Sequence, residues 1–272
     1  MTSSLSSTCK NFFCNVLERA GKYVSPATLD FAEMIAVPGL TTTVSAFAMS
    51  FFGVPSSVNA KASLSLGAFA SVCYGKLKQE YLENKIKKLA RGSYRNLNMG
   101  LILEASHDWA RFGLNFCNRS FLSNFKTAVR SEHYDRTKIS SYNQLVHVLT
   151  GIEDYSLNTI WIRAHGKPGS IRFSRHCRLF TESYEIFDLF RKKLKRGGRI
   201  ILETCNGTQM AEAISANCPD ASVYADPGKN HSFVGFGFNS RGIPEFNEGT
   251  FCKGKKSIRL YRTGYLMYGP TT

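Results

Sequence analysis

From Met99 onward, short apolar runs alternate with segments whose apolar residues recur at helical spacing. The strand-like runs are "MGLILEAS", "YDRTKISS", "LNTIWIRAHG", "GGRIILETC" and "ASVYADPG". The helical segments between them are "RSFLSNFKTAVRSE", "YNQLVHVLTGI", "TESYEIFDLFRKKLK" and "GTQMAEAISANC". Strands that alternate with helices of this length predict an α/β domain over residues 99–272, with a mostly parallel sheet and helices on both faces. The Gly-rich and aromatic tail after Ser232 predicts β-hairpins at one sheet edge.

The N-terminal third of the chain has a different pattern. Residues 34–60 carry no charge, and a second uncharged run covers residues 62–75. The turn-like "GVPSSVN" separates the two runs, so we predict a hydrophobic helical hairpin over residues 31–75. The first run is long enough to span a bilayer, and the many Gly, Ala, Ser and Thr residues suit close packing of membrane helices. The alternative is a water-soluble helical pair that buries its small residues against the next domain.

The flanking segments complete the predicted organisation. We predict that residues 1–30 form a flexible start with a short amphipathic helix and that residues 76–98 form a basic helix or linker. The basic residues that follow the hairpin would keep the C-terminal part on the cytosolic side of a membrane. A net charge of +15 and a pI near 9.5 favour acidic partners, among them an anionic membrane surface. Nucleic acid is not expected, because no zinc finger, helix-turn-helix or RNP-type aromatic motif accompanies the charge.

The eight cysteines do not form a zinc-binding pattern. No CxxC pair occurs, so a structural zinc site is not expected. No metal or cofactor is needed for the thiol chemistry considered below, and none is expected. The first 30 residues lack the pattern of a cleavable signal peptide. Free thiols in a reducing compartment are therefore expected. The oligomeric state is not indicated by the sequence.

Two predicted strands end in residues that can react. One ends at His165-Gly166, and the other ends at Cys205-Asn206-Gly207 one crossover unit later. In an open parallel sheet, function gathers at the carboxyl ends of the strands. A thiol and an imidazole at neighbouring strand ends predict a catalytic dyad, in which the imidazole takes the thiol proton and the thiolate attacks.

The surroundings of the pair fit that chemistry. A helix is predicted from Thr208, and its N-terminus would stabilise the Cys205 thiolate. Gly166 and Gly207 let backbone N–H groups approach a substrate, as an oxyanion hole requires. The alternative is structural: Cys205 as a buried strand-end cysteine, and His165 as a hydrogen-bonded turn residue.

The blocks "IWIRAHG" and "GGRIILETCNG", in this order and spacing, resemble the caspase-like cysteine peptidases, the clan of caspases, gingipains, separase and clostripain. The similarity covers roughly residues 99–239 and implies a three-layer, caspase-like (flavodoxin-like) fold. It implies His165 as general base or proton donor and Cys205 as nucleophile. The backbone N–H groups of Gly166 and Cys205 would form the oxyanion hole. The pentapeptide of true caspases is absent around Cys205, so the chain is closer to divergent bacterial members.

The same resemblance implies a function for the whole chain. A cysteine endopeptidase would cleave a protein or peptide substrate through a thioacyl intermediate. Asp226 would contribute to the pocket for the residue before the scissile bond and select a basic residue; the alternative is a turn-forming Asp before proline. A catalytically inactive caspase-like interaction scaffold, anchored at a membrane, is the alternative function.

The composition of residues 1–90 is similar to that of the type III secreted inclusion-membrane proteins of chlamydiae. A Ser- and Thr-rich start followed by two closely spaced apolar helices carries this resemblance. It implies a secreted bacterial effector that associates with a host-side membrane through residues 31–75. Without that association, a cytoplasmic location is expected.

Overall fold

The computed structural model of the chain describes residues 26–53, 55–93, 98–106, 118–225, 236–238, 244–246, 248–253 and 256–261. The chain divides into two compact units. The first consists of Met1–Lys85 with Phe112–Ser123, and the second of Ile86–Arg111 with Asn124–Thr272.

A helical hairpin occupies the N-terminal region. Helix α1 (Pro26–Phe51) and helix α2 (Ser56–Gly92) follow each other across a turn in which Gly53 has a φ of +69°. The second helix continues through most of the basic segment predicted as a separate helix or linker. Within the described residues, no helix combines the length and apolarity that a membrane crossing requires. The expectation that residues 34–60 could span a bilayer is therefore wrong, because their Ser, Thr, Pro and Gly residues dilute the apolar run.

The hairpin has small and polar residues between its helices. Asn59 is 7% exposed and donates hydrogen bonds to the Ala46 carbonyl (3.0 Å) and to Ser50 Oγ (2.7 Å). Ser63 is buried and donates to Asn59 Oδ1 (3.0 Å). A Cβ at Gly67 would overlap Thr42 Oγ1, so the two helices approach closely there.

The large apolar side chains of the hairpin face outward instead. Phe47, Phe51 and Phe52 are 75%, 81% and 80% exposed. Further exposed large apolar residues are Leu40, Val44, Val58, Leu64, Leu66, Phe69 and Val72. The hairpin thus reverses the usual arrangement of a water-soluble helix pair, in which apolar residues meet and polar residues face solvent. We call these ten residues the apolar hairpin surface.

The second unit is built on strands and short helices. Its strands are β1 (Met99–Ala105), β2 (His133–Ile139), β3 (Leu157–Arg163), β4 (His165–Lys167), β5 (Ser170–Ser174), β6 (Cys177–Phe180), β7 (Leu194–Glu203), β8 (Ser222–Ala225), β9 (Phe236–Phe238), β10 (Pro244–Phe246), β11 (Glu248–Lys253) and β12 (Lys256–Tyr261). Its helices are α4 (Tyr142–Thr150), α5 (Tyr184–Lys193) and α6 (Thr208–Asn217), and α3 (Asn118–Ala128) extends into it.

The main sheet has seven strands in the order β12-β11-β8-β7-β3-β1-β2. The five strands from β8 to β2 pair in parallel, whereas β11 pairs antiparallel with both β8 and β12. Strands β4, β5 and β6 form a separate antiparallel sheet, and β9 pairs with β10. The predicted α/β class, with a mostly parallel sheet flanked by helices in a three-layer arrangement, is confirmed, and the tail adds antiparallel strands at one edge as expected.

The hydrophobic core lies between one sheet face and helices α4, α5 and α6. Alternate positions of the central strands contribute to it, including Leu103, Ile162 and Leu202, because successive strand residues point to opposite faces. Phe187 from α5 and Ile214 from α6 join the same buried cluster. On the other sheet face, the Trp161 ring contacts Tyr134 at 6.1 Å between centroids and Phe238 at 5.2 Å. Both faces of the central sheet are therefore covered.

Candidate active site

The two predicted reactive segments follow neighbouring strands. β3 and β7 pair in parallel, and Arg163 at the end of β3 is in register with Glu203 at the end of β7. His165 comes two residues after Arg163, and Cys205 comes two residues after Glu203. The structure therefore brings both segments to the same carboxyl edge of the sheet, where the sequence predicted them to meet.

Gly166 is in backbone contact with Cys205. A Cβ at position 166 would overlap the carbonyl oxygen of Cys205 and would lie 2.8 Å from its carbonyl carbon and 2.9 Å from its nitrogen. Real Cβ atoms do not approach backbone that closely, so only glycine fits at this position without a backbone shift. The sequence predicted a glycine that lets a substrate approach. The contact with Cys205 is a second, structural reason for a glycine at position 166.

Cys205 lies in a tight turn between β7 and α6. Asn206 has a φ of +51°, in the left-handed region, where asparagine is one of the few side chains commonly found. Gly207 is the N-cap of α6, with a φ of −74°, and is buried. Backbone in sparsely populated regions is often found at functional sites.

The two candidate side chains, Cys205 and His165, differ from the buried thiols in their exposure. Cys205 and His165 are both partly exposed, with the Nε2 atom of His165 buried. Cys177 and Cys218 are each about 1% exposed. Burial raises the pKa of Cys177 to about 11 and that of Cys218 to about 12, so both thiols stay protonated near neutral pH. Cys205 is thus more accessible than Cys177 and Cys218, while Cys73 is exposed on α2.

A small hairpin borders the site. His165 opens β4 and is opposite Arg172 of β5. Gly169, in the turn between these strands, has a φ of +70°, and a Cβ there would lie 3.3 Å from Gln209 Oε1 in the first turn of α6. The turn of the hairpin therefore lies close to the start of α6, beside the edge on which Cys205 sits.

Beneath the same edge lies a group of charged side chains that the sequence did not reveal as a unit. Arg163 donates from Nε to Glu203 Oε2 (2.7 Å) and from Nη1 to Glu104 Oε1 (2.6 Å). Arg136 Nη2 is 2.7 Å from Glu104 Oε2, and Trp161 Nε1 donates to Glu203 Oε2 at 2.9 Å. These five residues, here called the buried charge cluster, span strands β1, β2, β3 and β7.

The pKa values of the two carboxylates in the cluster are shifted in opposite directions. Burial opposes ionisation of Glu104, but the guanidinium groups of Arg163 and Arg136 outweigh it and hold its pKa below the usual value. For Glu203, burial dominates over its bonds with Arg163 and Trp161, and the pKa is raised. The sequence signal for the cluster was a charged residue at the same late position of three apolar runs: "LILEA", "IWIRA" and "IILET".

Two predictions concern other groups. Asp226, the expected pocket residue, lies outside the described residues, and its role stays a prediction. Within the described part of the chain, no group of three or more His, Cys, Asp or Glu side chains is arranged to hold a metal ion.

Comparison with known proteins supplies no family. No protein-family model matches the chain, and no curated protein shows significant similarity to it. The functional assignment therefore rests on the residues at the sheet edge and on the motif order described above.

Proposed function

We propose that the protein is a cysteine endopeptidase-like hydrolase that uses a dyad of His165 and Cys205. The observation that carries the proposal is the backbone contact between Gly166 and Cys205 at the carboxyl ends of β3 and β7. Because of this contact, the residue before Gly166 lies beside the thiol-bearing segment. The motif order that resembles caspase-like peptidases supports the same assignment.

The reaction would proceed in two steps. His165 takes the Cys205 proton, and the thiolate forms a C–S bond with the peptide carbonyl carbon while the carbonyl electron pair moves to oxygen. N–H groups of Gly166 and Cys205 stabilise that oxyanion, and protonated His165 gives its proton to the leaving amine as the C–N bond breaks. A water molecule deprotonated by His165 then hydrolyses the thioacyl intermediate. The acid is released, and the proton returns to the Cys205 sulfur.

Two features favour Cys205 as the nucleophile. It lies two residues before Gly207, the N-cap of α6, at the carboxyl edge of the sheet. Its partial exposure lets a substrate reach it, unlike the buried thiols of Cys177 and Cys218. Asp226 would select a basic residue before the scissile bond, so peptides with Arg or Lys at that position are the first substrates to test.

Alkylation kinetics test the dyad. With limiting iodoacetamide near neutral pH, Cys205 should be labelled about tenfold or more faster than exposed Cys73, which lies far from any imidazole in sequence and serves as the internal control. His165→Ala should reduce the Cys205 rate to that of Cys73, whereas His147→Ala, on α4, should leave it unchanged. Equal rates for Cys73 and Cys205 in the unmodified protein would refute the dyad.

Peptide hydrolysis separates the enzyme from the alternative scaffold. The full chain should cleave a fluorogenic peptide with a basic residue before the cleaved bond, and Cys205→Ala should abolish the cleavage. Fast Cys205 labelling without hydrolysis of any peptide in a diverse library would favour the catalytically inactive interaction scaffold.

We further propose that the hairpin attaches the protein to an anionic membrane surface. Polar Asn59 and Ser63 lie between the helices, whereas Phe47, Phe51 and Phe52 face outward. Such an arrangement is stable where the surroundings are apolar, and small or polar residues are the usual contacts between helices in lipid. Because no described helix is suited to cross a bilayer, the apolar hairpin surface would insert into one leaflet only.

Vesicle flotation tests this attachment. The full chain should float with phosphatidylserine-containing vesicles and less with pure phosphatidylcholine, since basic residues add attraction to anionic lipid. Replacing Phe47, Phe51 and Phe52 by serine should abolish flotation, while Phe180→Ser with Tyr184→Ser, two exposed residues outside the hairpin, should not. A chain that stays with the aqueous fraction, or that forms oligomers through the hairpin instead, would contradict membrane attachment.

A further inference from the structure

A second concave site lies at the amino end of β7, at the opposite end of this strand from Cys205. It is a cavity of about 370 Å³ formed where α5 ends, β7 begins and α6 leads toward β8. Four basic side chains line it: Arg191, Lys192, Lys195 and Arg196. The described lining includes one carboxylate, Asp220. The cavity is therefore strongly basic.

Three of these cations form no salt bridge with a described residue. Arg191 pairs with Asp188 at 2.9 Å, and the neighbouring Lys193 is bound to Asp154 and to the Ile152 carbonyl. Among the described residues, no side chain pairs with Lys192, Lys195 or Arg196. Like charges that converge on one cavity repel each other and raise the local potential, and a bound anion relieves both effects.

The end of α5 does not by itself account for these charges. Basic residues in the last turn of a helix offset its partial negative charge, and Arg191, Lys192 and Lys193 have that position. Lys195 and Arg196 lie beyond the helix, in β7. The helix terminus therefore does not explain why Lys195 and Arg196 line the cavity, whereas an anionic ligand would.

The remaining lining suits a planar group. Tyr155 is 66% exposed, has a φ of +57°, and donates its backbone N–H to the Lys192 carbonyl at 2.8 Å. A left-handed backbone is costly for a bulky residue, so the structure holds this ring at the cavity at some expense. The buried residues Leu194, Cys218 and Ala221 supply an apolar surface beside it.

We propose that this cavity binds a nucleotide-like small molecule, with a planar ring against Tyr155 and two or more phosphate groups on Lys192, Lys195 and Arg196. Its volume lies at the lower end of the range for small-molecule pockets, roughly 300–1,000 Å³, and exceeds what a single phosphate needs. While β7 runs from Leu194 to Glu203, its neighbour β3 advances six residues, from Leu157 to Arg163, so the cavity and the edge that carries Cys205 are about 20 Å apart. The site is thus distinct from the candidate active site and does not depend on its chemistry.

Calorimetric titration of the full chain with ATP and with inorganic tripolyphosphate tests the proposal. Both probes should bind, and Lys195→Ala with Arg196→Ala should weaken both by about tenfold or more, through the loss of two charge-assisted contacts. Lys87→Ala with Lys88→Ala is the matched control, because it removes the same charge from exposed positions of α2 and should change affinity less than twofold. Absence of binding, or equal losses in both double variants, would overturn the site in favour of general attraction to a basic protein.

Tyr155→Asn tests the ring contact separately. Asparagine tolerates a left-handed backbone, so the turn should persist, and an unchanged melting temperature verifies that. ATP affinity should fall about fivefold or more through loss of stacking, whereas tripolyphosphate affinity should not change. Equal affinities for ATP in the variant and the unmodified protein would exclude a planar group at Tyr155. Cys205 labelling should stay the same in all these variants.

Discussion

Gly166 and Cys205 meet backbone to backbone at the carboxyl edge of the sheet, with no room for a side chain between them. The two residues belong to segments that leave neighbouring parallel strands, and this contact sets the distance between those segments. The position of His165 relative to the Cys205 thiol therefore depends on Gly166, because only a residue without a side chain allows this contact.

Gly166→Ala should disturb both stability and reactivity. The added methyl group would overlap the Cys205 carbonyl, and the backbone shift should cost about 1–3 kcal/mol of the free energy of unfolding. Cys205 alkylation should slow at the same time. Gly151→Ala is the control, because a Cβ there lies 3.4 Å from its nearest neighbour, the His147 carbonyl, and its φ of −73° suits alanine. Urea denaturation and labelling rates measure both effects; equal behaviour of the two variants would argue against the contact.

Glu104→Gln should destabilise the protein strongly at pH 7. The change leaves the buried guanidinium of Arg163 and the partly buried guanidinium of Arg136 without their shared carboxylate, and removal of one partner from a buried pair costs about 3–5 kcal/mol. The exposed pair of Asp188 and Arg191 is the control, and Asp188→Asn should cost about 0–1 kcal/mol. Since the pKa of Glu104 is below its usual 4.5, its contribution should be present above pH 4.5 and disappear as pH falls through the lowered value. Urea titrations at several pH values would reveal this loss.

Glu203→Gln should show the opposite pH dependence. The pKa of Glu203 is raised in the folded state, mainly by burial, so the folded protein binds this proton more tightly than the unfolded chain. That contribution is complete below about pH 4.5 and is lost as pH rises through the raised pKa. The Glu203→Gln variant lacks this contribution. Its free energy of unfolding should therefore fall further below that of the unmodified protein at pH 5 than at pH 8. A stability difference that is constant between these pH values, or reversed, would show that burial does not dominate at Glu203.

The buried thiols should not react with an alkylating reagent in the native state. With pKa values of about 11 and 12, Cys177 and Cys218 have a thiolate fraction of about one in a thousand or less at pH 8, and both are shielded. Peptide mapping after alkylation at pH 8 should find Cys73 and Cys205 modified and these two unmodified. Adding urea should expose them. Labelling of Cys218 without denaturant would contradict the observed packing of its sulfur against the Phe187 carbonyl at 3.3 Å.

Gly67→Leu should separate the hairpin helices. The new side chain would meet Thr42 and the Pro38 carbonyl, where the helices are in close contact. Hydrogen exchange across residues 40–51 should then become faster. Gly75→Ala, at a position with open space around it, should leave that exchange unchanged or slow it slightly. Unchanged exchange in Gly67→Leu would mean that the helices do not depend on this close approach.

Much of the α/β unit was predictable because its signals are local. Apolar runs such as "TIWIR" and "RIILE" are strands in any parallel sheet that is covered on both faces, and their alternation with helical segments determines the fold class. The candidate pair was predictable for the same reason, since His165 and Cys205 directly follow two strands that one crossover unit joins. The hairpin helices were also predicted, but not their orientation: composition alone does not distinguish residues that face each other from residues that face outward, as Asn59 and Phe51 do.

The sequence by itself determined which elements form and which reactive residues stand at their ends, because hydrophobic periodicity and chain connectivity act over short distances. Only the tertiary structure decided the contacts between elements that are distant in sequence. It joined Glu104, Arg163 and Glu203 into one buried charge cluster through strand register, and it placed Gly166 against Cys205. It also gathered Tyr155 and Arg196 around a basic cavity. Each of these depends on the alignment of separate strands and helices, which no short stretch of sequence encodes.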